Sequence, residues 1–269
     1  MAEPPNLFAL PPGADFPAEL VAGLLQRGKG QSPEALARVT LIVNTQRMRR
    51  RVGEVFQASG ARLLPRILLV TETAPLADLA LPAPISPLRR RLELSVLLDR
   101  LLATGTTHFP RTALYDLADS LATLMEEMQG EGVSPAQIAA LDVANHSAHW
   151  ARTQAFLGIV TEALSDESPD AEAILRRAVT RLAETWATTS PAHPVILAGS
   201  TASRGTTALM AEAIARLPNG AVVLPGFDFD LPAPVWDSMD DALTAEDHPQ
   251  YRFRRVMDLF GCDLRAIRR

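Results

Sequence analysis

Residues 194–230, PVILAGSTASRGTTALMAEAIARLPNGAVVLPGFDFD, constrain the fold more than any other part of this chain. Val195 to Ala198 is a short apolar run that enters Gly199. Leu209, Met210, Ala213, Ile214 and Leu217 then repeat at helical spacing, and Ala221 to Leu224 resumes a buried strand. A strand, a helix and a second strand joined this closely predict parallel strands with a crossover helix. Such units gather ligands at the carboxyl ends of their strands, where Gly199-Ser200-Thr201 and Gly226-Phe227-Asp228 would sit. Neither turn has the glycine and lysine pattern of a phosphate loop. The expectation is a nucleotide-binding architecture without its chemistry.

The N-terminal third repeats the same alternation. Apolar runs at 7–10, 39–43 and 67–70 read as strands, and residues 17–27 and 46–58 read as helices between them. From about 76 the texture changes. Pro75, Pro82, Pro84 and Pro87 break the chain, and helical patterns follow at 88–102, 113–128, 153–164 and 170–186. In the second of these, Leu114, Leu117, Leu121, Leu124 and Met128 form the expected apolar stripe. Ser134-Pro135-Ala136-Gln137 is a capping-box start for a short helix over 135–141. The fold class is therefore α/β with a parallel sheet. The expected organisation is a discontinuous α/β domain over 1–75 plus 190–250, interrupted by an all-helical insertion over 76–189. Residues 251–269 begin a further amphipathic helix that is expected to continue beyond the end, as in a fragment of a longer protein.

Composition narrows the chemistry. One cysteine, Cys262, excludes a disulfide framework and any cysteine-ligated zinc or iron-sulfur cluster held by this chain alone, and it fits a reducing compartment. No apolar stretch reaches the roughly 20 residues needed to span a bilayer, and residues 1–10 lack a leader pattern. The expected location is the cytoplasm, with no membrane contact. The net charge of −5 hides an uneven distribution: residues 27–66 hold nine basic side chains against two acidic ones, whereas 226–250 hold seven acids and no Lys or Arg.

Lys29 is the only lysine. The first strand leads into Pro11-Pro12-Gly13-Ala14-Asp15-Phe16, where a phosphate loop would sit. Pro12, Gly13, Ala14 and Asp15 form at most a degenerate version, because Asp15 would repel phosphate and no lysine follows. The string Gly23 to Lys29 matches GxxxxGK, but Gly30 replaces the metal-binding hydroxyl and Leu24-Leu25 reads as helix. After the second strand, Thr45-Gln46-Arg47-Met48-Arg49-Arg50-Arg51 opens a helix. Its arginines read either as a solvated face covering apolar neighbours or as contacts to a nucleic-acid backbone. Ser200 to Thr207, with Arg204, reads as a loop and helix cap or as an anion contact. Asp228 and Asp230 read as a solvated turn or as a metal-binding DxD pair. His146 and His149 lack a third ligand nearby.

The blocks LFALPPGADFPAELVAGLL, PEALARVTLIVNTQRMRRRV, ARLLPRILLVTE, AGSTASRGTTALMAEAIARLPNGAVVLPGFDFDL and DHPQYRF, taken together, resemble the N-terminal region of the AddB family. These are double-strand-break repair subunits that partner AddA. The resemblance covers nearly the whole chain and is densest over 7–72 and 194–253. It implies a superfamily 1 helicase-like core that has lost its ATPase, with the helical insertion as that core's inserted subdomain. It also implies DNA and an AddA-type helicase/nuclease subunit as partners in a heterodimer acting in DNA end resection. The family's PD-(D/E)xK nuclease, with its iron-sulfur cluster and Mg, lies far toward the C-terminus, so no cofactor is expected in these residues. Arg47, Arg49, Arg50, Arg51 and Arg204 become the candidate DNA contacts. The alternative is a stand-alone nucleotide-sugar or nucleotide-dependent α/β enzyme using Asp228 and Asp230 with a divalent metal.

Overall fold

A computed structural model describes residues 5–60, 62–103, 111–134, 136–137, 140, 169–203 and 205–269. The expected helices at 135–141 and 153–164, and His146 and His149, lie wholly or largely outside the described residues. The chain divides into two compact units, Met1–Ala77 with Val179–Arg269, and Asp78–Ala178.

The first unit is built on one six-stranded sheet: β1 (Leu7–Leu10), β2 (Thr40–Val43), β3 (Arg66–Leu69), β4 (Val195–Ala198), β5 (Gly220–Pro225) and β6 (Ile267–Arg268). The spatial order is β3-β2-β4-β5-β1-β6 and every pairing is parallel. Leu41 pairs with Ile196 and Leu197 with Val222, so the central strands are covered on both faces and read as unbroken apolar runs. Helices α1 (Phe16–Arg27) and α3 (Gln46–Ala58) supply one such cover. Phe16, Leu20, Val21, Leu24, Val52 and Phe56 pack with Leu41, Val43, Ile196 and Ala198 in a single cluster. Between α1 and β2 lies a one-turn helix, α2 (Pro33–Ala37), which the sequence reading missed. It explains why β2 begins at Thr40: the Val39 N–H donates to the Leu36 carbonyl at 3.1 Å and so closes the α2 turn.

The second unit contains, among its described residues, α4 (Pro87–Ala103), α5 (Arg111–Glu131) and the start of α6 (Ala171–Thr188), which runs on into the first unit. Leu94 and Leu98 of α4 pack with Leu114, Ala118, Leu121 and Met125 of α5. The buried stripe of α5 is thus Leu114, Ala118, Leu121, Met125 and Met128, while Leu117 and Leu124 are 37% and 36% exposed. The expected five-residue stripe is corrected at two positions. Spacings of three and four alternate toward the α4 seam and select Ala118 over the bulkier Leu117.

Back in the sheet unit, α7 (Gly205–Ala215) follows β4 and is apolar nearly all round, with Ala208, Met210, Ala211 and Ile214 buried. It ends close to β5, where a Cβ on Gly220 would fall on the Ile214 carbonyl. Two short helices, α8 (Ala233–Asp237) and α9 (Ala242–Ala245), precede α10 (Tyr251–Phe260). The expectation of a continuing helix over 251–269 is corrected. Gly261 adopts the left-handed conformation at φ 59°, which terminates α10, and Ile267–Arg268 pairs with Leu7 and Phe8 of β1.

Candidate nucleic-acid interface at the carboxyl edge of the sheet

Because all strands run parallel, five of their exits lie along one edge: Pro11–Asp15, Asn44–Thr45, Val70–Glu72, Gly199–Ser203 and Gly226–Asp230. Gly13, Gly199 and Gly226 make three of these turns at φ 81°, 79° and 76°. At Gly199 the need is steric as well as conformational, since a Cβ there would stand 3.0 Å from the Met48 Cε and 3.5 Å from the Asn44 Oδ1.

At the end of β1, where the degenerate phosphate loop was read, the Asp15 carboxylate is already engaged. Its Oδ1 accepts the Ala18 N–H at 3.3 Å, capping α1, and its Oδ2 lies 3.5 Å from the Arg51 guanidinium. A helix N-terminus with a free N–H cradle favours an incoming anion. Here the protein's own carboxylate occupies it. Pro12, Gly13 and Ala14 form the preceding turn and add no cationic side chain, and Lys29 sits beyond the other end of α1, exposed between Gly28 and Gly30.

The arginine cluster separates into two classes. Thr45 caps α3 by accepting the Met48 N–H at 3.1 Å, which sets the helix start just after β2. Arg49 reaches Glu72 at 2.6 Å, and Arg51 reaches both Asp15 and, at 3.4 Å, Glu54. The Glu72 carboxyl is held below its ordinary range, first by the Leu69 backbone N–H and further by Arg49. Arg47 and Arg50 are exposed and make no ion pair among the described residues. These two are therefore the arginines of the cluster best placed to meet a ligand. Arg204 lies outside the described residues.

After β4, Ser200, Thr201, Ala202, Ser203 and Thr207 line a cleft of about 330 Å³. The Ala202 N–H donates to the Ser200 Oγ at 3.1 Å, and the Thr201 and Ser203 hydroxyls lie 3.3 Å apart. Arg252 of α10 lines the same cleft. The sequence reading missed Arg252. The only signal for it was the helical pattern from Tyr251, which says nothing about the loop that this helix faces.

After β5, Asp228 and Asp230 have separate partners. The Asp228 Oδ1 accepts the Asp230 N–H at 3.0 Å, while the Asp230 carboxylate, 94% exposed, lies 3.9 Å from Arg269. Gln250, also missed, holds this turn. It is buried, donates to the Gly226 carbonyl and accepts the Asp228 N–H, both at 2.9 Å. Phe227 is stacked on Trp236 at 5.3 Å and meets Phe253 edge-on at 5.5 Å, so the turn rests on an aromatic core. Among the described residues no three of His, Cys, Asp and Glu gather as a metal site, and no helix is long and apolar enough to cross a membrane. Neither protein-family models nor curated proteins give a match to this chain.

Proposed function

We propose that the chain is the N-terminal, non-catalytic part of an AddB-type subunit: a superfamily 1 helicase-like core whose nucleotide loop is inactive, carrying a helical insertion. On this reading it offers the carboxyl edge of its sheet to the DNA backbone and scaffolds an AddA-type partner during end resection. The observation that carries it is Asp15. A carboxylate that caps α1 and neutralises Arg51 stands where a nucleotide's phosphates would need N–H groups and a lysine. The same edge exposes the Arg47 and Arg50 guanidiniums, groups suited to phosphate contacts that do not depend on base sequence. The sequence blocks that resemble AddB provide the second support.

The test is titration of the 269-residue chain with Mg·ATP, followed by calorimetry and phosphate release. No binding and no turnover are expected, and hydrolysis above background overturns the reading. The metal-dependent enzyme gains no support from the geometry, because the Asp228 carboxylate closes its own turn and Asp230 faces Arg269.

A further inference from the structure

The amino edge of the sheet carries a second cleft, of about 310 Å³, that the proposed function does not use. Its apolar floor is formed by Leu24, Val39 and Ile196, each less than a tenth exposed. Its rim carries Arg27, Arg38 and His193, all exposed, and no carboxylate lines it. Arg27 is held in position by the Phe8 ring, 4.9 Å from its guanidinium carbon, and Arg268 meets the same ring at 4.3 Å. Glu34, on the α2 turn, bonds its own backbone N–H and Ser32 and lies near enough to Arg38 to feel its charge. With Lys29 adjacent to Gly28 of the lining, the rim remains positive.

The chain also bears the complementary shape. Leu243, on the single-turn α9, is 95% exposed, the most exposed large apolar side chain among the described residues. Asp240, Asp241, Glu246 and Asp247 flank it in sequence, all exposed, while Trp236, Met239 and Ala245 of the same stretch are buried. An exposed leucine ringed by carboxylates complements, in both polarity and charge, an apolar floor ringed by guanidiniums.

From this pairing we infer that the knob of one copy docks in the cleft of a second, Leu243 on the Leu24–Val39–Ile196 floor and the knob acids against Arg27 and Arg38. Knob and cleft are different surfaces, so the contact is head-to-tail and extends to further copies unless the rotation closes a ring. A contact of this size is weak and salt-sensitive.

Sedimentation velocity on the 269-residue chain over a concentration series tests it. The expected result is a weight-average mass that rises with concentration and falls with added salt. Two charge-reversed variants, Arg27→Glu with Arg38→Glu, and Asp240→Arg with Asp247→Arg, which leaves the Asp241 cap of α9 in place, are each expected to stay monomeric. An equimolar mixture of the two is expected to associate again, because each then offers the other a matched pair. Circular dichroism checks that both are folded, and a milder Leu243→Ser variant provides a third arm with the same expected loss. A wild-type chain that is monomeric throughout overturns the inference, whether or not a foreign acidic peptide binds the cleft. So does a mixture that fails to associate when the wild type does.

Discussion

Replacing Asp15 separates its two contacts. Asp15→Ala removes the α1 cap, a change that typically costs about 1 kcal/mol. It also removes the Arg51 pair, whose two side chains are 51% and 54% exposed. A pair that open to solvent contributes roughly 0.2–0.5 kcal/mol. The expected loss is therefore about 1–1.5 kcal/mol, or roughly 3–5 °C in the Tm of the sheet unit. Asp15→Ser keeps a capping oxygen and loses only the charge, so its cost should fall below about 0.5 kcal/mol. Thermal melts of both variants followed by far-UV circular dichroism give the comparison. In about 1 M salt, where the Debye length shrinks to roughly 3 Å, the serine variant should melt with the wild type while the alanine variant remains low. An alanine variant as stable as the wild type, or a serine variant that loses as much as the alanine one, refutes the assignment of Asp15 as a cap.

Two further perturbations read other parts of the fold. Glu126 has its carboxyl raised by desolvation and by Asp170 and Glu172, with Arg90 opposing. A carboxyl raised on folding binds its proton more tightly when folded, so it favours the fold below its unfolded pKa and opposes it once pH rises through the folded value. Glu126→Gln should therefore stabilise the chain at neutral pH, with the gain shrinking as pH falls into the carboxylate range; urea midpoints at pH 7 and pH 4 that shift equally contradict this. Gly220→Ala places a methyl on the Ile214 carbonyl, where backbone must move, and a loss of about 2–4 kcal/mol is expected. An unchanged urea midpoint contradicts that.

Much of the sheet was legible because its strands are buried on both faces. Leu41, Ile42, Val43, Leu197 and Ala198 are fully buried, and each contributes to an uninterrupted apolar run that needs no partner to be recognised. The β6 strand was not legible. Only Ile267 and Arg268 pair, and their strand character comes from the open edge of β1 rather than from any pattern of their own. On α5 nothing in the side chain of Ala118 marks it as core, because burial there follows the seam with α4 and not side-chain size.

The site divides along the same line. Asp15 was readable as hostile to phosphate from its type and place alone. Its pairing with Arg51 was not, since α1 and α3 lie side by side over strands β1 and β2, which are not neighbours in the sheet. Likewise Glu72, some twenty residues downstream, occupies Arg49 through the β3 exit. Four arginines within five positions thus become two in ion pairs and two that make none among the described residues. Gln250 and Arg252 reach the edge from α10, and nothing local marks them as belonging to the β5 and β4 exits.

The salt dependence of duplex binding tests the central claim most directly. Each phosphate neutralised steepens the slope of log K against log salt by about 0.9. With Arg47 and Arg50 as the cations of α3 that make no ion pair among the described residues, Arg47→Ala with Arg50→Ala should weaken binding and flatten the slope by nearly two. A slope equal to that of the wild-type chain contradicts the claim that this edge holds a DNA backbone.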